Sequence, residues 1–152
     1  MNGGPAETGD AGDQLHRRMV AFVRAFGLHR PDETPCGAPV PVSEAHAVTV
    51  LDEHGALTQS QLALHLGLTK STVSRLVDQL ERRGWAQRQV GDGDARQRLI
   101  ALTNEGAKAS REIGTLRRDR LRRLFDQIPE HERPAVLAAL DALVAAARQD
   151  PS

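Results

Sequence analysis

The residues best suited to binding chemistry form a short polar and basic run at positions 69–75. Hydroxyl groups and cations of this kind donate hydrogen bonds to phosphate oxygens and to the edges of bases. Thr69 is a favourable N-cap, so the backbone N–H groups of a following helix would add partial positive charge at the same place. The sequence therefore predicts an anion-binding helix start formed by Thr69, Lys70, Ser71, Thr72, Ser74 and Arg75.

A helix-turn-helix is the element that would position this run. Thr58 and Gln61 match a capping box, Gly67 ends the first helix, and Gly84 stops the second. Ala63 is a small residue at the point where the two helices would cross. The second helix has an apolar stripe at helical spacing, formed by Val73, Leu76, Val77 and Leu80.

Two strands follow, and helices flank the whole unit. The strands are predicted over residues 85–90 and 96–102, joined by a hairpin loop over 91–95 that is rich in glycine and aspartate. Residues 1–12 are predicted to be a disordered tail, and 30–43 a proline-rich loop before a helix capped by Ser43. Thr103 caps a long helix that ends before Pro129, and a last helix carries an apolar face from Val136 to Ala147.

The motifs LALHLGLTKSTVSRLVDQLERRGW and GDGDARQRLIALTNEG together resemble the MarR (multiple antibiotic resistance regulator) family of winged helix proteins. The resemblance implies a mainly α fold with a small β-hairpin wing, in one domain over 13–152. Residues 43–102 would form the winged helix DNA-binding lobe, with dimerisation helices over 13–29 and 103–149. It also implies a transcription regulator that binds double-stranded DNA, usually as a repressor on a pseudo-palindromic operator.

By the same resemblance, Arg96 would probe the minor groove and Asp94 would orient its guanidinium. The chemistry is reasonable, since a narrow minor groove attracts a planar, weakly hydrated cation. The alternative is an exposed ion pair at a hairpin tip, which contributes at most about 1 kcal/mol to stability. An aspartate beside phosphates is unfavourable unless it positions another group, which favours the functional interpretation.

A homodimer is a further implication of the resemblance, and the residues support it independently. The stripe of Leu15, Met19, Phe22 and Phe26 and the apolar face of the last helix are too hydrophobic to stay exposed on so small a domain. Related regulators often bind small aromatic or phenolic effectors. The basic run Arg117 to Arg123 is interpreted as a solvated face with i,i+4 pairing, outside the DNA-binding set.

Charge and composition narrow the function classes. The chain carries 20 basic and 20 acidic residues, but residues 69–98 hold seven basic against four acidic side chains. Few aromatic residues are present, which argues against stacking platforms for single strands. No phosphate-binding glycine loop, nucleophile elbow or metal-ligand cluster is evident, so we expect no enzyme, cofactor or metal site.

Three alternatives stay open at this stage. Cys36 as a redox sensor, and zinc bound by Cys36, Glu44 and His46, are both disfavoured by position and ligand spacing. A winged-helix module that binds protein and not DNA is compatible with the neutral total charge. We expect a cytoplasmic protein, because no leader or membrane-spanning stretch is apparent.

Overall fold

The computed structural model describes residues 10–91 and 93–150, and for residues 94 and 95 it describes the backbone alone. Over these residues the chain forms helices and one small antiparallel sheet with strand order β1-β3-β2. The predicted class, mainly α with a hairpin wing, is confirmed. The elements are α1 (Ala11–Phe26), α2 (Val42–His54), β1 (Leu57–Thr58), α3 (Gln59–Leu66), α4 (Lys70–Arg82), β2 (Ala86–Gly91), β3 (Asp94–Leu102), α5 (Asn104–Asp126) and α6 (Arg133–Gln149).

Three threonines begin the helices that matter for the site, as the sequence predicts. Thr58 and Gln61 form a reciprocal capping box at α3, in which each side chain accepts the backbone N–H of the other residue. Thr69 accepts from the N–H of Thr72 at the start of α4, and Thr103 accepts from Gly106 at the start of α5. Each cap satisfies a backbone donor that would otherwise be free.

Several predicted boundaries are wrong. Helix α1 begins at Ala11, because the N–H of Gln14 already bonds to the carbonyl of Asp10, so the last two residues of the predicted tail are helical. Residues 1–9 of that tail lie outside the described residues. Helix α2 begins one residue before Ser43, and Pro41 takes the N-cap position with its carbonyl accepting from Ala45.

The wing is also longer than predicted, since β2 reaches Gly91 and β3 starts at Asp94. These two residues pair across the tip, after a register irregularity between Val90 and Gly91. Gly93 adopts φ 97°, a left-handed conformation that glycine allows without strain, so the chain turns more tightly than a five-residue loop. Asp94, which was predicted in the loop, therefore belongs to the same strand as Arg96.

The core lies between α2, α3, α4 and the sheet. Its largest fully buried side chains are Leu51, Leu62, Leu80, Val48, Val73 and Val77. The proline-rich loop contributes as well, since Ala38 and Val40 are buried. Thr34 holds that loop closed, because its backbone N–H donates to the Ala38 carbonyl and its hydroxyl accepts from the Ala38 N–H.

Helices α1 and α6 bury no residue within the single chain. Their apolar residues are about half exposed, including Leu15, Phe22, Leu137 and Leu140. A 3₁₀ turn at Glu130–Glu132 connects α5 to α6. Within the described ranges, no helix is both long and apolar enough to span a bilayer.

Candidate nucleic-acid interface

The first turn of α4 presents the predicted polar run to solvent. Five of its six predicted residues are exposed and Ser74 is half-buried, whereas the apolar stripe beneath them faces the core. The Thr69 hydroxyl is 2.9 Å from the Thr72 hydroxyl and 3.1 Å from that of Ser71. The turn is thus a cluster of donors on a rigidly packed helix, the arrangement that a groove-binding helix needs.

Gln59, which the sequence analysis missed, ties this turn to α3. Its side-chain amide donates to the backbone carbonyl of Lys70 at 2.8 Å. The bond joins the first turns of the two helices. The start of α4 is therefore fixed by an exposed hydrogen bond as well as by packing of its apolar face against the core. No local pattern marks Gln59, because its partner lies eleven residues away.

The wing carries Arg96, whose side chain is exposed on β3. The Asp94 side chain that was predicted to orient it lies outside the described part of the chain. At the base of the wing, the backbone of β2 pairs with β3 from Ala86 to Gly91. Strand β2 contacts α4 and pairs with β3, so it links the strand that carries Arg96 to the helix that carries the polar run.

Arg88, another residue that sequence reasoning missed, joins β2 to α4. Its guanidinium donates to Asp78 at 2.7 Å and also to Glu81, and its backbone N–H donates to Glu81 at 3.1 Å. Asp78 and Glu81 lie one turn apart on the helix and so can reach the same partner. We call this group, Asp78, Glu81 and Arg88, the wing clamp.

Glu44 forms a second ion pair between distant segments. It is 3% exposed, and its carboxylate accepts from Nε of Arg83 just beyond the end of α4. The Arg83 guanidinium also lies over the Trp85 ring, 5.2 Å from its centroid. This pairing gives Glu44 a structural partner in place of the zinc that was considered for it.

Cys36, the other residue considered as a ligand or sensor, is partly buried and lies 2.8 Å from the Thr34 hydroxyl. Among the side chains that the structure describes, no group of three or more His, Cys, Asp or Glu residues is arranged to hold a metal.

A mostly apolar cavity of about 150 Å³ lies between α1, α2, α5 and the loop before α2. Phe26, Ile113 and Leu121 contribute to its apolar wall, and Arg117 and Arg120 bring cationic groups to it. Nε of Arg120 is buried and has no hydrogen-bond partner among the described residues. His46 also lines the cavity, and burial, followed by the charge of Arg117, lowers its pKa below the ordinary value.

These contacts change the interpretation of the basic run in α5. Arg117 donates to the Thr49 hydroxyl on α2 at 3.0 Å, and Arg120 lies 5.8 Å from the Phe26 ring centroid on α1. Within the described residues, no ion pair forms inside the run. The predicted i,i+4 pairing is therefore wrong, because two of these arginines turn toward neighbouring helices.

Comparison with known proteins agrees with this architecture. The HTH-type transcriptional regulator PetP of Rhodobacter capsulatus is 32% identical over 115 residues, covering 74% of this chain and 69% of that protein. The uncharacterised HTH-type transcriptional regulator YwoH of Bacillus subtilis is 39% identical over 59 residues, covering 39% of this chain and 42% of that protein. The match to YwoH thus spans less than half of its length.

The fold is shared with Streptococcus pneumoniae FabT, solved in complex with DNA, at a TM-score of 0.76 and 20% identity. That alignment covers 92% of this chain and 99% of the FabT chain. Residues 38–97, which include α2, α3, α4 and most of the wing, match the model of the MarR family. The chain belongs to the MarR family.

Proposed function

We propose that this chain is a transcription regulator that binds duplex DNA sequence-specifically, with the start of α4 in a major groove and the wing in the adjacent minor groove. The observation that carries the proposal is the exposed donor cluster from Thr69 to Arg75 on a helix whose opposite face is fully buried. Ser71 and Arg75 are one turn apart and would meet base edges. Arg96 would enter the minor groove, oriented by Asp94.

The DNA-binding form is a homodimer in this proposal. The apolar residues that a single chain leaves uncovered lie on three helices: Leu15, Met19 and Phe22 on α1, Leu116, Leu121 and Leu124 on α5, and Leu137, Leu140 and Val144 on α6. A second copy would cover these faces. Twofold pairing sets two recognition helices about 34–36 Å apart, which calls for a pseudo-palindromic operator.

The cavity beside α5 is the proposed effector site. A void of about 150 Å³ is the size that accepts a single aromatic ring. Arg117 and Arg120 supply donors for a carboxylate or phenolate on that ring. Binding there would release the DNA, so the protein would act as a cytoplasmic, ligand-responsive repressor without catalytic activity of its own.

Selection of bound duplexes from fragmented genomic DNA tests the DNA-binding proposal. We expect recovery of a pseudo-palindromic sequence, and we expect Arg75→Ala and Ser71→Ala to change the preferred bases. Arg148→Ala, at an exposed position near the end of α6, is the matched control and should leave the selected sequence unchanged. An equal loss of binding affinity on all duplex sequences would show that Ser71 and Arg75 contact phosphates and not base edges.

The same experiment tests the alternative, a protein-interaction module. Leu64 on α3 is 82% exposed, which gives that alternative a specific apolar contact point on the lobe. Failure to retain any duplex at low salt, together with a partner protein whose binding Leu64→Asp abolishes, would favour it over DNA binding.

Displacement of the selected duplex by benzoate tests the effector site. We expect benzoate to raise the dissociation constant of the protein–DNA complex, and Arg120→Gln to weaken that effect. Arg118→Gln is the matched control, since Arg118 lies on the same helix but does not line the cavity. Equal loss in both variants would argue against this site.

A further inference from the structure

Arg88 occupies the point where the wing meets helix α4. In the sheet it pairs with Ile100, which pairs on its other side with Leu57, so the three residues form one row across the strands. Ile100 and Leu57 are buried in the core, whereas Arg88 lies at the end of the row and is 28% exposed. The Arg88 side chain therefore lies at the edge of the apolar core and contacts the carboxylates of α4.

The contacts of the wing clamp restrain both the side chain and the backbone of the strand. One oxygen of Glu81 accepts from the Arg88 guanidinium, and the other accepts from its backbone N–H at 3.1 Å. Asp78 accepts from the second guanidinium nitrogen at 2.7 Å. The planar guanidinium presents these donors in a fixed geometry, so the group resists rotation of β2 about α4.

The position of Asp78 gives the clamp a second effect. Arg75 follows Ser71 by four residues and Asp78 follows Arg75 by three, so all three share one face of α4. A carboxylate on the face that is turned toward DNA would repel phosphates. Pairing with Arg88 offsets that charge and explains how an acidic residue is tolerated there.

We infer that Arg88 is a positioning residue: by joining Asp78 and Glu81 it fixes the wing relative to the start of α4, so that Arg96 and the Ser71–Arg75 turn reach adjacent grooves together. The inference rests on the proposed DNA-binding function and adds a role for residues that need not touch DNA. The opposing account is that Arg88 is simply a phosphate contact and that Asp78 and Glu81 only weaken binding.

The two accounts predict opposite signs for the double variant Asp78→Asn/Glu81→Gln. Removing two negative charges from a DNA-binding lobe strengthens binding if charge alone matters. If the clamp positions the wing, the variant binds the selected duplex about tenfold more weakly, the cost of losing a well-placed groove contact. Glu53→Gln, which removes an exposed carboxylate on α2, is the control and should leave affinity within about twofold.

Arg88→Lys supplies an independent variant with unchanged charge. Lysine cannot form the forked contact with two carboxylates, so we expect weaker binding and a reduced contribution of Arg96 to affinity. A stoichiometric titration with duplex, at concentrations well above the dissociation constant, measures the fraction of protein that can bind. It therefore separates a change in affinity from a loss of folded protein. Hydrogen exchange of the β2 and β3 amides in DNA-free protein should accelerate in both clamp variants and stay unchanged in Glu53→Gln.

The outcomes distinguish the inference from the function on which it rests. If the parent protein binds the selected duplex but the double variant binds equally well or more tightly, the positioning role is overturned and DNA binding stands. If the parent protein binds no duplex at all, the proposed function fails and the inference fails with it. Weaker binding together with faster exchange of the wing amides supports the clamp.

Discussion

At the scale of single residues, Arg96 is the side chain whose replacement tests the wing most directly. It is exposed on β3 and contributes little to the core, so Arg96→Ala should lower affinity for the selected duplex with little change in melting temperature. We expect a loss of about 1–3 kcal/mol in binding free energy if Arg96 enters the minor groove. Fluorescence anisotropy over a salt series measures both the affinity and the number of ions released.

Arg98→Ala is the matched control for this prediction, because Arg98 is also an exposed arginine on β3. A general loss of positive charge would weaken binding equally in the two variants. Unchanged affinity of Arg96→Ala would contradict the assignment of Arg96 to the groove.

His46 makes stability depend on pH in a direction that follows from its environment. Burial and the charge of Arg117 lower its pKa in the folded protein, whereas in the unfolded chain the pKa is near 6.5. Between these two pKa values the unfolded chain binds more protons than the folded protein. The contribution of His46 to stability is therefore present above pH 6.5 and is lost as the pH falls toward the folded-state pKa.

We therefore expect His46→Gln to flatten the decrease in unfolding free energy between pH 7.5 and pH 5.5, two buffer conditions on either side of the ordinary histidine pKa. Urea denaturation at the two pH values measures the difference. His16→Gln, at an exposed position on α1, should keep the slope of the parent protein. A parent-like slope in His46→Gln would contradict this account.

At the scale of elements, the start of α5 is locked against the wing. Gly106 lies so close to Trp85 that a Cβ at this position would overlap the Trp85 carbonyl, and Thr103 donates from its hydroxyl to the Gly84 carbonyl at 2.5 Å. The helix that would carry part of the dimer interface therefore begins directly on the base of the wing. Movement of α5 is expected to reach the wing through this contact.

Gly106→Ala should consequently destabilise the protein by about 1–3 kcal/mol, because the added methyl group forces α5 away from Trp85. Gly114→Ala, in the same helix, would meet only the end of the Arg118 side chain at 3.3 Å and should be neutral or stabilising. Thermal unfolding of both variants gives the comparison. Equal melting temperatures would mean that α5 can shift without cost.

The elements also show which parts of the structure are predictable from the sequence. The caps at Thr58, Thr69 and Thr103 were predicted, because capping depends on residues three positions apart. The helix-turn-helix followed from the same local rules. Strand β1 was missed because two residues carry no periodicity, and Leu57 becomes a strand only by pairing with Ile100.

The candidate site also has a part that the sequence predicts and a part that it does not. The exposed turn from Thr69 to Arg75 is local and was predicted as a unit. The bonds that hold the two ends of α4 are not local: the Gln59 side chain donates to the Lys70 carbonyl at its start, and Glu44 pairs with Arg83, 39 residues away, just beyond its end. Nothing in the spacing of such residues indicates their partners, since only the packed fold brings them together.

At the scale of the whole molecule, the uncovered apolar faces of α1, α5 and α6 are the basis of the proposed homodimer. Leu137 and Leu140, both on α6, are each 51% exposed. Apolar faces left uncovered on several helices are unusual on proteins that remain monomeric. The proposed twofold pairing would bury them and join two DNA-binding lobes in one particle.

Leu140→Asp should therefore convert a dimer into a monomer and lower affinity for the pseudo-palindromic duplex, because a monomer contacts one half-site only. Sedimentation velocity of the purified variant measures the mass. Leu64→Asp is the matched control for the sedimentation experiment, since Leu64 is 82% exposed on α3, outside the proposed interface, and the variant should keep the mass of the parent protein. A parent protein that sediments as a monomer at every concentration would rule out the pairing, and with it the requirement for a two-part operator.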